Sequence, residues 1–316
     1  MLHFRVRHLF AACALIATAV PWNEVKAAES ASTDQKIGVL LVNHGSRSVS
    51  WRNSLLALEK SVRPALMKNP AIKGLSTAFM EYTEPSIATR MKEFDAQGFT
   101  HVVIVPLFLT ISSHTFDDIP TIIGKKVDSH SLEMMKLEKI ERYTPKARVE
   151  IAPNLDFAGI LKQNVLRRLQ GLSANPADEG LVLIAYGDAT YEKQWSALLA
   201  GVADHVKGEM GINAYAHGWC GHLVHYDPTK TTEAIERVLE SKKKALVVPV
   251  LVAHDEMFQV KIIGDGIAKI ADNRSRVSYR PDAILPDPNI EDWVVRIAGQ
   301  FVAKIASGEG AKSARN

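Results

Sequence analysis

The sequence predicts an α/β protein of two similar doubly wound lobes, each with a mainly parallel sheet, facing one another across a cleft. Three observations carry that expectation. Apolar runs of strand length alternate with amphipathic segments of helix length from Lys36 to Ile305. The order of segments restarts after residues 171–180. The two halves also share a register. Pro85 stands 21 residues before Pro106, and Pro228 stands 21 residues before Pro249. Glu84-Pro85 matches Asp227-Pro228, and Val105-Pro106-Leu107 matches Val248-Pro249-Val250. An ungapped repeat of one strand–helix order argues for internal duplication.

In the first half, Ile37–Val42 is apolar throughout, as a strand buried on both faces must be. It ends in Asn43-His44-Gly45-Ser46, and a helical pattern follows from Val49 to Met67. Leu75–Met80 reads as a second strand. Pro85 opens a helix that runs to Ala96 and is broken by Gly98. Val102–Leu109 is the third strand, followed by a loop with His114 and a helix near Ile119–Val127. Val149–Ile151 and a helix at Phe157–Leu169 close the half. The stretch GLSANPADEG at 171–180 has linker composition. In the second half the strands are Leu181–Ala185, Ile212–His217, Ala245–Val252 and Val277–Tyr279. The helices are Tyr191–Glu209, Pro228–Lys242, Met257–Ala271 and Ile290–Ile305. The expected lobes are therefore 36–170 and 181–307, with a tail at 308–316.

The first residues read as an export signal rather than as fold. Arg5, Arg7 and His8 form a basic stretch, Leu9–Val20 is apolar, and small residues at Ala27 and Ala28 mark a cut that removes residues 1–27. A retained anchor is the alternative, but the apolar run is short for a bilayer. The expected compartment is the periplasm, and no later segment is apolar enough to span a membrane. The whole chain carries a formal charge of +3; the cut leaves 35 basic against 34 acidic side chains, or +1. Near-neutrality gives no electrostatic case for nucleic acid. Composition is that of a soluble globular protein, 47% hydrophobic and 23% charged. Of the two cysteines, Cys13 leaves with the signal. Cys220 is then buried, a metal ligand or an intermolecular partner. Homo-oligomerisation is left open.

Ligands of doubly wound sheets sit beyond the carboxyl ends of the strands. His44, Glu81 and His114 follow the first half's first three strands, and Tyr186 and His254 follow strands of the second. Imidazole binds cobalt, iron, nickel or zinc and accepts protons near neutrality. A carboxylate at Glu81 could ligate, orient an imidazole or take a proton; capping a helix is its bland alternative. Gly45 and Ser46, at a strand-to-helix turn, could present N–H groups to an anion, or Gly45 serves only backbone freedom. Arg47 could pair with a substrate carboxylate or be a surface charge.

The words Asn43-His44-Gly45-Ser46-Arg47, Phe79-Met80-Glu81 with Pro85-Ser86-Ile87, and Val105-Pro106-Leu107-Phe108-Leu109 leading to His114 and Asp118-Ile119-Pro120 are distinctive together. They resemble the sirohydrochlorin cobaltochelatases and ferrochelatases, the class II chelatases of corrinoid and sirohaem synthesis. The resemblance is close over residues 37–124 and architectural beyond. It implies a chelatase-like fold and a lyase that inserts a divalent metal, cobalt or iron foremost and nickel or zinc admissible, into a sirohydrochlorin-like tetrapyrrole. The metal is a substrate, and no organic cofactor is implied. His44, His114 and Glu81 would hold the metal and move protons, with Glu81 steering His114 or the proton path. Gly45, Ser46 and Arg47 would meet the macrocycle. Ser112-Ser113 departs from the family, which usually has a glycine-containing turn before the second histidine.

In the second half Tyr186-Gly187-Asp188 stands where the first has His44-Gly45-Ser46. In an ungapped alignment Met257 replaces His114 and Val224 replaces Glu81, so this lobe reads as a degenerate repeat. One cluster is unexplained: His217, Cys220, His222 and His225, in an N/S-rich stretch that could bind a borderline metal but matches no standard zinc spacing. Strand alternation would put His217 and Cys220 on opposite faces. Two non-enzymatic readings compete: a periplasmic carrier of metal or tetrapyrrole with the same fold, and a periplasmic binding protein for an unrelated ligand.

Overall fold

The structure, a computed structural model, describes residues 35–108, 114–155 and 157–308. The expected signal peptide, residues 309–316 of the tail and the Ser112-Ser113 turn lie outside the described residues. Strand β1 (Ile37–Asn43) is buried at all seven positions because it lies inside its sheet and is covered on both faces. Helix α1 (Val49–Leu66) returns the chain to β2 (Ile72–Phe79), and α2 (Ile87–Ala96) leads to β3 (His101–Pro106). A π-helical turn at His114–Asp118 and the short α3 (Ile119–Ile122) follow. Then come α4 (Ser129–Glu138), β4 (Arg148–Ile151) and α5 (Phe157–Gln170). The second half repeats the plan with β5 (Glu179–Ala185), α6 (Glu192–Met210), β6 (Ala214–Trp219), α7 (Thr229–Leu239) and β7 (Lys244–Val250). A π-helix at Met257–Ile263, α8 (Gly264–Ala268), α9 (Asn273–Arg276), β8 (Val277–Tyr279) and α10 (Pro288–Ala306) complete it.

Both sheets are parallel and have one topology, β2-β1-β3-β4 and β6-β5-β7-β8. The anticipated α/β fold of two parallel four-stranded sheets is what the chain adopts. Pro106 and Pro249 occupy equivalent registers, opposite Val42 and Ile184 of the central strands. In each sheet the chain moves from the central strand to one neighbour and then to the other, so a crevice opens beyond β1 and β3.

Two details depart from the sequence reading. The helix expected at 119–127 is only four residues long, and α4, not foreseen, follows it. Its apolar residues form no clean stripe: Met135 is buried while Leu137 is 72% exposed, so periodicity could not announce it. The other departure concerns which helix covers which sheet. Helix α5 packs on α6 and β7, and α10 packs on α1 and β3. The last helix of each half therefore covers the other half's sheet, and one apolar core joins Leu55, Val103 and Ile297 to Leu183, Leu199 and Leu161. The exchange is pinned at Asp287, 1% exposed. Its Oδ1 accepts from Asn289 and Ile290 N at 2.7 and 3.3 Å, capping α10. Its Oδ2 accepts from Asn164 Nδ2 of α5 at 2.7 Å and pairs with Arg167. Separate outer cores lie under α2 and α3 on the first sheet and under α7 on the second.

Candidate metal centre

The turns after β1 and β2 are stitched together by backbone. The Asn43 carbonyl accepts from Met80 N at 2.8 Å, and the His44 carbonyl accepts from Met80 N at 3.1 Å and Glu81 N at 2.9 Å. Gly45 adopts φ 109°, and a Cβ there would lie 2.0 Å from the Glu81 carbonyl oxygen. Only glycine lets these turns touch. The loop from His44 to the cap of α1 is held by Arg52, whose guanidinium donates to Ser46 O and Arg47 O at 2.9 and 2.8 Å. Ser48 caps α1 by accepting from Trp51 N.

This stitching brings His44 Nε2 to 2.8 Å from Glu81 Oε1. His44 Nδ1 lies 3.1 Å from the Gly45 carbonyl, which can only accept, so Nδ1 carries a proton. A neutral ring would then present a lone pair at Nε2 to a carboxylate. The contact is favourable only when a cation, whether a proton or a metal ion, sits between them. Burial is the largest influence on this imidazole and lowers its pKa. The Glu81 hydrogen bond and charge, the Gly45 carbonyl and the Asp118 charge together outweigh it, and the net shift is upward.

His114 opens the π-turn, a wide turn common at functional positions. Its Nδ1 donates to Asp118 Oδ2 at 2.6 Å, four residues on, which leaves Nε2 as the free ligand atom. Burial pushes the Asp118 carboxyl up, but hydrogen bonds from His114 and Ser131 outweigh it and leave it below the usual carboxylate range. The His44 and His114 rings meet edge to face with centroids 5.0 Å apart. Among the described residues, His44, Glu81 and His114 form the one group able to offer three metal ligands, one atom from each and all within 4.8 Å of one another. Two imidazoles and a carboxylate leave coordination positions open, as handover of an ion requires.

The candidates named from sequence are thus placed as follows. His44, Glu81 and His114 come together. The carboxylate that orients His114 is Asp118, not Glu81, because the backbone stitching commits Glu81 to His44. Gly45 makes the close approach. The Ser46 hydroxyl accepts from Ser48 N at 3.0 Å and reaches Asp255 Oδ2 at 3.4 Å, so it ties the loop to the second lobe. Arg47 lies over the Tyr82 ring, 5.2 Å from its centroid. Sequence reasoning missed Tyr82, which sits at φ 65° with its ring 6.0 Å from His44. The H-x-x-x-D spacing would have pointed to Asp118 had the turn been known to be helical.

In the second lobe, Cys220 N donates to Ala185 O and Gly221 N to Tyr186 O, both at 2.9 Å. These bonds repeat Met80 to Asn43 and Glu81 to His44. The residue equivalent to Glu81 is therefore Gly221, not Val224, and Tyr186 stands for His44. The halves are not ungapped, because the connections differ in length and the offset between equivalent residues changes from strand to strand. Tyr186 faces Tyr226 with hydroxyls 3.5 Å apart, and Phe258 packs edge-on at 5.4 Å. The His217–Cys220 stretch is not one ligand set. His217 turns to Tyr215 and Ser196 at 3.0 and 3.3 Å, while Cys220 is fully buried in the core on the opposite face. His225 is exposed, and the His222 side chain lies outside the described residues.

Residues 38–172 match the CbiX family. A sirohydrochlorin cobaltochelatase of Methanococcoides burtonii is 30% identical over 99 residues, 31% of this chain and 71% of the relative. One from Methanocaldococcus jannaschii is 34% identical over 92 residues, 29% of this chain and 62% of the relative. The chain thus spans about two thirds of the length of these relatives. Among solved structures, SirB from Bacillus subtilis with Fe3+ superposes with a TM-score of 0.62 at 18% identity, over 86% of this chain and 98% of that one. The sirohydrochlorin chelatase SirB of Bacillus subtilis subspecies spizizenii, in complex with cobalt, gives 0.58 at 18%, over 85% and 97%. The structural likeness establishes the fold across both halves, and the sequence likeness covers the half that holds the histidine–carboxylate cluster. The chain belongs to the class II chelatase family.

Proposed function

We propose that this protein is a metal chelatase, a lyase that inserts a divalent ion, cobalt or iron, into a sirohydrochlorin-like tetrapyrrole. The observation that carries the reading is the His44–Glu81–His114 cluster, three ligand atoms within 4.8 Å at the carboxyl ends of three parallel strands. The ion enters as a substrate. It displaces the proton held between His44 and Glu81 and takes Nε2 of His114 as a third ligand. As the metal passes to the macrocycle, two pyrrole N–H protons must leave: the His44–Glu81 pair regains its proton from one, and solvent water accepts the other. Asp118 keeps His114 in the tautomer that presents a lone pair. Tyr186, Tyr226 and Phe258 supply an aromatic surface on the second lobe suited to a flat conjugated ring. We place the reaction in the periplasm, on the basic, apolar and small-residue pattern of residues 5–28.

The test is anaerobic absorbance of sirohydrochlorin with the purified protein and Co2+ or Fe2+ in turn. Insertion rewrites the visible spectrum. Wild type should accelerate it over the uncatalysed reaction, and His44→Ala and His114→Ala should each abolish the acceleration. If the wild type binds the macrocycle but accelerates insertion with neither ion, the protein is a carrier of the same fold.

A further inference from the structure

Glu81 and His114 also border a second space that the proposed reaction does not use. A cavity of about 140 Å³ opens beneath α4. Its inner wall includes Glu81 and His114, two of the three cluster residues, together with Asp118, the carboxylate that orients His114. Its outer wall is a stripe of α4: His130, Met134 and Glu138, spaced by four residues and so stacked on one helix face. All three are exposed, Met134 to 40%. Every described residue that lines the cavity comes from the first lobe, and His44 is not among them.

This arrangement is a set of donors. Imidazole, thioether and carboxylate lie on the exposed face of α4, and the lining also holds the cluster's Glu81 and His114 and the Asp118 bonded to His114. The volume accommodates several waters, so an ion need not shed its hydration shell before entering. Three carboxylates around a part-enclosed space also concentrate a divalent cation. A flat ring lying over the cluster from the cleft would cover the face by which an ion could otherwise reach it. The ion then needs another way in.

We propose that the cavity beneath α4 is a cation antechamber, through which a hydrated divalent metal passes His130, Met134 and Glu138 to reach Glu81 and His114. The proposal rests on the reading of His44, Glu81 and His114 as the metal cluster, but it does not require insertion activity. The mouth residues act on the rate of metal arrival and leave the equilibrium at the cluster alone. Association and dissociation should slow together.

Co2+ alone, mixed with the full apo-protein in a stopped-flow spectrometer, tests this. The readout is the absorbance of protein-bound Co2+. The double variant His130→Ala/Glu138→Gln removes a ligand and a charge from exposed positions. Met134→Trp closes the mouth sterically. Each should slow Co2+ association about tenfold, the lower end of what charged clefts contribute, with unchanged Kd and unchanged absorbance at saturation. Association as fast as wild type in both variants overturns the antechamber and leaves the cluster reading intact, provided His114→Ala abolishes the bound-Co2+ signal. If wild type binds no Co2+, both readings fall. If the variants weaken sirohydrochlorin binding while Co2+ association is unchanged, the cavity receives an edge of the macrocycle and the proposal is wrong.

Discussion

Replacing Gly45 by alanine should separate the two turns that form the metal cluster. The added Cβ would lie 2.0 Å from the Glu81 carbonyl oxygen and 3.0 Å from its carbon. Both are backbone atoms and cannot rotate away. Restoring ordinary contact near 3.4 Å requires the turns to part by about 1.4 Å. That movement breaks the bonds from Met80 N and Glu81 N to the His44 carbonyl, now 3.1 and 2.9 Å. Two backbone hydrogen bonds at about 1 kcal/mol each, plus about 1–2 kcal/mol for alanine at positive φ, give a destabilisation of about 3–4 kcal/mol. The same movement carries Glu81 Oε1 from 2.8 Å to about 4 Å from His44 Nε2, beyond hydrogen-bond range. Gly98→Ala is the control. Gly98 also has a positive φ, 72°, but nothing lies within 4 Å of its added Cβ, so it should cost only the conformational strain, about 1–2 kcal/mol. Urea unfolding measures both costs, and Co2+ titration of the folded variants measures the cluster. Gly45→Ala should lose at least about tenfold in Co2+ affinity, and Gly98→Ala should lose none. Equal stabilities for the two variants, with Co2+ affinity retained in both, would refute the argument that the close approach builds the site.

Three further outcomes are expected. Asp118→Ala removes the acceptor for His114 Nδ1 and should weaken Co2+ binding about 10–100-fold without unfolding the chain; Asp117→Ala, whose carboxylate pairs with Lys126, should stay within about twofold of wild type. Burial pushes the Cys220 thiol up to about 12, so the folded protein lacking residues 1–27 should not react with a thiol-specific disulfide reagent at pH 8, and denaturant should release one reactive thiol per chain. Asp95 is partly desolvated, which raises its pKa, but bonds from Lys146 N at 2.8 Å, Tyr143 Oη at 2.8 Å and Ala147 N at 3.1 Å outweigh this and depress it below 3.8. A depressed carboxylate stabilises the fold above its unfolded pKa and loses that contribution as pH falls through the folded one. Acid unfolding below about pH 4 should therefore be shallower in Asp95→Ala, which should also cost about 1 kcal/mol at pH 7, its hydrogen bonds being weakened by solvent. Parallel pH–stability curves for the two proteins would exclude this role.

The strands were legible in the sequence because their burial is a local compositional fact. A central parallel strand is covered on both faces, so β1 and β5 read as unbroken apolar runs, and the restart after residues 171–180 followed from the same pattern. The positions of His44, Glu81 and His114 at strand ends could be read for that reason. Their pairing could not. Glu81 bonds His44 because the His44 carbonyl accepts from the Glu81 amide across 37 residues of chain, and strand composition does not encode that register. The equivalence of Gly221 with Glu81 was hidden in the same way, since connections of altered length change the offset between the halves from strand to strand. Helix α4 escaped because its apolar residues form no stripe, and the antechamber it covers has no signature except its position. The exchange of α5 and α10 between sheets was equally invisible: an amphipathic helix states that it needs an apolar partner, not which sheet provides it. The sequence by itself determined the strands, their order, the long helices between them and the residue types at each strand's end, because burial periodicity and turn chemistry are short-range. Only the tertiary structure decided which carboxylate meets which histidine and which helix covers which sheet, because those contacts join residues far apart in the chain and depend on strand register, loop length and packing together.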